Sequence, residues 1–307
     1  MRVVIDTTYL ARGHTGTGTY LNEVIPALRA LGVDVVEAAN RNRRPPGSGA
    51  IRNALEDARF ARELRGHQAD LVHHPLPAHT PGARNVVTVH DLAFDTHPHL
   101  FDARFAAWAR VAHARAARRA DAVIAVSHTT ANDAMTRWGL PRDKIVIARH
   151  GPGQHLDVPE RHEPRHVLYV GDEEPRKNLA LAHAAVQSFN ALPLRRARPG
   201  DDLAALHAEA LALIHPAVHE GFGLTALEAL AAGTPVVAYP SLAVREICGE
   251  TALYAATADG LAAHLRRLHA DAAFRAARSE QGRAHAARYS WEHCAREHLR
   301  AYTLALE

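Results

Sequence analysis

The sequence predicts an α/β protein built from two doubly wound domains that face each other across a cleft. Three observations carry this. Short apolar, β-branched segments alternate with Ala/Leu/Arg-rich segments of helical period, the rhythm of βαβ units and parallel sheets. A charged, proline-bearing stretch from Leu156 to His166 interrupts that rhythm, which then restarts. The length, 307 residues, suits two domains of roughly 150 residues each.

In the first half, strands are expected near Val3–Asp6, Val33–Ala38, Leu71–His73, Asn85–Thr88, Ala122–Val126 and Lys144–Ile147, each a run of apolar or β-branched residues bounded by polar ones. Helices are expected between them near Thr19–Leu31, Ile51–Arg65, Phe101–Arg119 and Thr129–Trp138. The second half gives strands near Val167–Val170, Leu192–Arg195, Leu211–His215, Pro235–Ala238 and Leu253–Ala255. Its helices fall near Leu179–Asn190, Asp202–Ala210 and Leu224–Ala232, the last followed by Gly233 where a C-cap glycine belongs. Trp291 to Leu306 forms one more amphipathic helix, with Trp291, Cys294, His298 and Leu299 on one stripe. The domains predicted are 1–157, 158–288, and a tail, 289–307, that crosses back onto the first domain and stabilises the closed arrangement.

Composition narrows the function. With 36 basic and 33 acidic residues the net charge is only +3, and the bases are spread and interleaved with acids, so a nucleic-acid binder with a strong phosphate footprint is not expected. Cys248 and Cys294 are far apart and in no CxxC pattern, which fits a reducing compartment. No signal-peptide core and no membrane-length apolar run is visible, so a soluble, cytoplasmic protein is expected. In Phe101–Arg119, five arginines accompany Phe101, Phe105, Trp108 and Val111; the pattern fits a core-facing stripe with a solvated basic face, without stable membrane association.

Four segments could carry chemistry. Gly16-Thr17-Gly18 follows the first strand, but Leu21 stands where GxGxxG requires glycine, so a glycine loop near a ligand survives and a nicotinamide cofactor does not. His90 and Asp91 end a strand at the edge where this fold class binds ligands; a capped core histidine is the plainer reading. Arg176 and Lys177 follow the first strand of the second domain and suit a diphosphate, a fork beside a point charge. Among the 36 basic residues only Lys144 and Lys177 are lysine, which sets this pair apart from an ordinary surface pair balanced by Asp172, Glu173 and Glu174. The run Glu220-Gly221-Phe222-Gly223-Leu224 to Glu228 joins a strand to a helix, so free backbone N–H groups and a helix dipole point at the loop's occupant while two carboxylates flank it. A two-carboxylate glycosidase dyad remains an alternative for Glu220 and Glu228. Despite 23 histidines no metal site is expected, since His162-Glu-Pro-Arg-His166 matches HExxH but carries a proline inside the required helix.

These residues together resemble glycosyltransferase family 4, retaining nucleotide-sugar-dependent enzymes of GT-B fold. The resemblance runs nearly end to end, through Gly16–Tyr20, Val86–Phe94, Ala120–Ser127, Lys144–Gly151, Pro175–Asn178, the Glu220-x7-Glu228 motif, Arg245–Gly249 and Tyr289–Trp291. It implies that Arg176 and Lys177 hold the donor diphosphate, Glu220 with the backbone of Gly221 to Gly223 the sugar hydroxyls, and Glu228 the ribose. It also implies that His90 faces the sugar, and that Gly16 and Gly18 approach the diphosphate or the acceptor.

The implied reaction moves a hexose from a nucleoside diphosphate sugar, GDP-mannose or another, to a hydroxyl acceptor, with no cofactor and no metal. Two departures stand out. Asp172 follows Gly171 where the family often carries arginine, and Leu179 to Asp202 is one βα unit short. The shortened domain makes a catalytically degenerate GT-B protein, binding a sugar nucleotide or a protein partner, the alternative. A sugar-nucleotide epimerase is a third reading, with no acid/base pair to support it.

Overall fold

The computed structural model describes residues 1–10, 16–42, 50–153, 156, 158 and 162–307. The chain divides into two compact units, Met1–Gly151 with Trp291–Glu307, and Pro152–Ser290. The divisions fall at 151/152 and 290/291, against the predicted 157/158 and 288/289. Residues 154, 155, 157 and 159–161, in or beside the predicted linker, lie outside the described residues.

In the first unit, β1 (Arg2–Asp6), β2 (Asp34–Ala38), β3 (Leu71–His74), β4 (Asn85–Val89), β5 (Ala122–Ala125) and β6 (Ile145–Ile147) form a parallel sheet in the order β2-β1-β3-β4-β5-β6. Strands β3, β4 and β5 are buried at every residue, as a sheet covered on both faces requires, which is why they read as unbroken apolar runs. Around the sheet lie α1 (Gly16–Ala30), α2 (Ala50–Gly66), the short α3 (Ala93–Thr96), α4 (Ala103–Arg119) and α5 (His128–Trp138). Helix α5 shows how locally these elements are specified. The Ser127 side chain accepts from the Thr130 N–H to start it, and Gly139, at φ 64°, ends it in a left-handed conformation that a side chain would resist.

Two expectations for this unit are corrected. Gly16 and Gly18 belong to the first turn of α1 rather than to a loop before Thr19, while residues 11–15 lie outside the described residues. The Phe105/Trp108/Val111 stripe of α4 does not face the core: these residues are 39%, 53% and 64% exposed. Ala106, Ala109, Ala114, Ala116 and Ala117 take the inner side instead. Two stripes of the same helical period compete in that sequence. The alanine stripe lets the helix approach the sheet closely, so burial goes to the smaller residues.

The last helix, α12 (Trp291–Leu306), packs on α1, β5 and β6. Its Cys294, Ala295, Ala301, Tyr302 and Ala305 share one hydrophobic core with Val3, Ile5, Leu21 and Val24, and Trp291 and Leu299 pack against that core. Two wholly buried polar bonds tie it down: Tyr20 Oη to His298 Nε2 at 2.6 Å and His73 Nδ1 to Tyr302 Oη at 2.8 Å. These contacts make α12 an integral part of the first unit's interior.

The second unit holds β7 (His166–Tyr169), β8 (Leu194–Arg196), β9 (Ala210–His215), β10 (Val236–Ala238) and β11 (Leu253–Tyr254), all parallel, in the order β11-β10-β9-β7-β8. Counted from β7 the order is 2-1-3-4-5, one outer strand fewer than the 3-2-1-4-5-6 pattern, so β8 is an edge. The helices are α6 (Leu179–Phe189), α7 (Leu203–Ala208), α8 (Leu224–Ala231), α9 (Leu242–Cys248), α10 (Ala258–Ala270) and α11 (Ala272–Ala286). The last three were not among the predicted elements. Thr257 and Asp271 cap α10 and α11 through the N–H groups of Gly260 and Phe274.

Candidate active site

In doubly wound sheets ligands bind at the carboxyl ends of the strands, where the strand order reverses. In the second unit the reversal lies between β7 and β9. The turn after β7 delivers Arg176 and Lys177, and the loop after β9 delivers Glu220. The first is a single 3₁₀ turn over Pro175–Lys177, closed by Asn178 at φ 51°, which also begins α6. The second runs to Gly223, whose φ of 93° admits only glycine without strain, since a Cβ there would also stand 3.2 Å from Val244 Cγ2. The Val218 N–H donates to the Arg176 carbonyl at 3.0 Å and locks the two segments together.

The side chains converge on Glu220. Lys177 Nζ donates to Glu220 Oε1 at 2.7 Å, and Arg176 Nη1 stands 3.5 Å from Oε2. His215, at the end of β9, brings Nε2 to 3.6 Å from Oε1, while its Nδ1 meets Thr225 Oγ1 at 3.3 Å. Burial by itself would raise the pKa of Glu220; Lys177, then His215 and Arg176, overcome it and hold the carboxyl at about 2. For His215 burial prevails over the attraction of Glu220 and lowers the ring to about 4. At neutral pH the His215–Glu220 contact is therefore between a neutral ring and a carboxylate, not an ion pair. Arg176 Nε also donates to Glu174 at 2.7 Å, so the outcome is a compact cluster of two cations shared between two carboxylates, beside the N-terminus of α8.

Around this cluster, Gly221, Phe222 and Gly223 are buried, and the Phe222 ring meets Tyr289 edge-on at 6.3 Å between centroids. Leu224 opens α8 and is half-buried. Glu228, also half-buried, lies one turn further along α8 beneath Gly153: a Cβ at position 153 would stand 1.8 Å from Glu228 Oε1. Asp172 follows Gly171, yet a guanidinium still reaches this strand end. Arg196, from β8, donates to the Gly171 carbonyl at 3.3 Å and pairs with Glu173.

In the first unit, His90 follows β4. Burial lowers its pKa to about 4 against the opposing pull of Asp91, and the Pro75 carbonyl accepts a hydrogen bond from the ring. Its Nε2 has no partner among the described residues. A neutral ring held through one nitrogen leaves the other as an acceptor for a hydroxyl. Asp91 caps α3 through the Ala93 N–H at 3.1 Å and is thereby engaged. Tyr20 packs edge-on against His90 at 5.0 Å and stacks on His150 at 5.1 Å, and His150 stacks on Trp291 at 5.2 Å.

Sequence reasoning thus named the residues of the ion cluster but treated Arg176/Lys177 and Glu220 as separate devices. It used His215 only as a strand boundary, although a histidine at the end of a buried strand five residues before Glu220 was a usable signal. Gly153 and Pro75 left none. The HExxH string is not helical: His166 opens β7, with Nε2 3.1 Å from the Leu206 carbonyl. Among the described residues no group of His, Cys, Asp or Glu is placed to hold a metal.

Comparison with known proteins agrees with this geometry. The family model described as Glycosyltransferase Family 4 matches residues 14–152, and that described as Glycosyl transferases group 1 matches residues 156–271. The O-antigen chain mannosyltransferase B of Escherichia coli is 25% identical over 303 residues, covering 81% of this chain and 78% of that one. Sucrose-phosphate synthase from Thermosynechococcus elongatus shares the fold with a TM-score of 0.80 at 17% identity, covering 99% of this chain and 98% of the other. Anabaena HepE, solved in complex with UDP-glucose, does so with a TM-score of 0.73 at 14% identity, each chain 99% covered. With successive glycosyltransferase family models matching its two halves, the chain is a glycosyltransferase that carries a Glycosyltransferase Family 4 domain followed by a Glycosyl transferases group 1 domain.

Proposed function

We propose that the chain is a retaining glycosyltransferase that moves a hexose from a nucleoside diphosphate sugar to a hydroxyl acceptor. The observation that carries this reading is the Arg176–Lys177–Glu220 cluster at the reversal point of the second sheet. Its two adjacent cations, now held by Glu174 and Glu220, and the nearby N-terminus of α8 suit a diphosphate, whose departure needs charge stabilisation. No metal is required for that neutralisation.

In this mechanism the sugar–phosphate bond lengthens and the anomeric carbon gains oxocarbenium character, while Arg176 and Lys177 stabilise the negative charge growing on the diphosphate. The acceptor hydroxyl enters on the face the diphosphate leaves. Its proton passes to the departing phosphate oxygen, so the new bond keeps the configuration of the old and no protein nucleophile is used. Glu220, an anion at every physiological pH, hydrogen-bonds sugar hydroxyls and opposes the developing positive charge. His90 accepts a hydroxyl hydrogen bond at Nε2, and Glu228 takes the ribose.

The test is a thermal-shift panel of UDP, GDP, dTDP and ADP, followed by incubation with the matching sugar donors and assignment of the product anomer by proton NMR. A nucleotide that stabilises the protein and a product of retained configuration support the reading. An inverted product overturns the mechanism, and four inert nucleotides overturn the donor class.

A further inference from the structure

Helix α4 shows solvent what a globular core would hide. Phe105, Trp108 and Val111 are 39%, 53% and 64% exposed. At 100° per residue, Arg104, Trp108, Val111, Arg115 and Arg118 follow one another along a single line of the helix, at i, i+4, i+7, i+11 and i+14. The rings of Phe101, Phe105 and Trp108 lie in succession, with centroids 6.2 and 6.1 Å apart, so the apolar residues form one patch at the N-terminal end of the face. The arginines extend it toward the C-terminal end.

The charge on this face is uncompensated. Arg104, Arg110, Arg115, Arg118 and Arg119 form no ion pair with a carboxylate among the described residues. Asp102, at the start of the helix, is taken up in capping the Phe105 N–H at 2.9 Å. Lys144 adds a further cation beside the helix end, its Nζ donating to the Arg118 carbonyl at 2.7 Å. Arg118 is tied down, its Nε donating to the Trp138 carbonyl at 2.7 Å, and Arg118 and Arg119 complement the negative end of the helix dipole, but Arg104 and Arg110 have no such role.

We propose that this face of α4 docks the protein on an anionic membrane leaflet. Phe105, Trp108 and Val111 enter the boundary between headgroups and acyl chains, and the arginines on and beside that line bind lipid phosphates. A tryptophan flanked by unpaired cations on a straight helix is the pattern of an in-plane interfacial anchor. The apolar patch is one short stretch rather than a full helix face, so docking is reversible and depends on anionic lipid and on salt. The expectation of no stable membrane association rested on the aromatic stripe being buried, and that premise fails with Phe105, Trp108 and Val111 exposed.

The experiment is cosedimentation of the full chain with vesicles of phosphatidylcholine alone or with roughly one-third phosphatidylglycerol, at about 0.1 M salt. Binding to the anionic vesicles only is expected, with a blue shift of tryptophan emission that Trp108→Phe removes, because Trp138 is only 1% exposed and Trp291 packs against the core. Phe105→Ser with Trp108→Ser should weaken binding at least tenfold. Arg104→Gln with Arg115→Gln should weaken it by about fivefold for each arginine. Both pairs should leave donor hydrolysis without vesicles and the melting temperature unchanged.

Failure to bind anionic vesicles at this salt overturns the proposal, as does binding that survives Phe105→Ser/Trp108→Ser. A dimer in solution that Trp108→Ser abolishes also overturns it, and makes the face a contact between copies of the chain.

Discussion

Lys177 and Glu220, 43 residues apart in the chain, meet at 2.7 Å, one carried by the turn after β7 and the other by the loop after β9. Both side chains are largely withdrawn from water, 18% and 10% exposed, so removing one partner costs more than breaking a surface ion pair. In the proposed reaction, a diphosphate arriving here would compete with Glu220 for the ammonium. Sugar hydroxyls arriving with it would give Glu220 replacement partners and so couple recognition of the two halves of the donor.

Lys177→Ala should weaken binding of the preferred nucleoside diphosphate about tenfold or more, because the ammonium neutralises charge present in donor and product alike. It should also lower the melting temperature of the unliganded protein, since Glu220 then keeps only Arg176 as a close cation. Isothermal titration and thermal melting read the two effects. Unchanged affinity would remove Lys177 from the site.

Glu220→Gln should leave nucleoside diphosphate affinity undiminished, because Lys177 and Arg176 lose a competitor for the phosphates. Turnover of the sugar donor should fall on the order of 10²-fold, as the lost interaction is the one that strengthens when positive charge develops. Parallel losses in affinity and turnover would show that Glu220 serves only to position Lys177.

Gly153→Ala should disturb the site without deleting any of its polar groups. The added methyl must push the Glu228 carboxyl from its place, and because that is the end of a flexible side chain the fold should survive. Nucleotide affinity is expected to drop several-fold, with an unchanged melting temperature. If affinity holds while crystallography shows Glu228 displaced, Glu228 is not a ribose ligand.

Acid should unfold the first unit before the second. His73, His90, His150 and His298 are all lowered by burial, His90 and His298 to about 4, whereas the second unit has His215 at about 4 and a buried His166 that is also lowered. Below their unfolded pKa of 6.5 the unfolded chain takes up protons that the native rings refuse, so stability is full above 6.5 and falls as pH drops toward 4. Each such ring removes up to about 1.4 kcal/mol per pH unit, so the unit that buries more of them loses stability first. Glu220 enters only later: its contribution holds above the ordinary glutamate value of 4.5 and is lost as pH falls through about 2. Hydrogen exchange near pH 5 should show β1, β3 and β4 losing protection ahead of β7 and β9. Equal protection would mean that the native rings accept protons in place.

Much of this was legible in the chain. Buried parallel strands such as β4 and β5 declare themselves as apolar runs, and Ser127 with Gly139 marks both ends of α5. The ion cluster was legible residue by residue, since a lysine stands out in an arginine-rich sequence, but the pairing of Lys177 with Glu220 is a property of strand order. Helix α4 shows the opposite limit. Periodicity reveals that a helix has a stripe without saying which of two stripes the sheet will take, and the closer packing of alanine settled that. Nor could the sequence show that Tyr302 and His298 bury their polar groups against His73 and Tyr20, because those bonds join residues more than 200 positions apart.

The central claim is that this chain cleaves the bond between a sugar and a nucleoside diphosphate at the Arg176–Lys177–Glu220 cluster. The most direct measurement is release of nucleoside diphosphate from a panel of sugar donors, followed by chromatography, for the wild-type chain beside Lys177→Ala and Glu220→Gln. The account expects one donor to be cleaved by the wild type and cleavage to fall at least tenfold in both variants. A nucleotide that binds tightly while no donor is cleaved would contradict it, and would leave a GT-B protein that holds a sugar nucleotide without transferring the sugar.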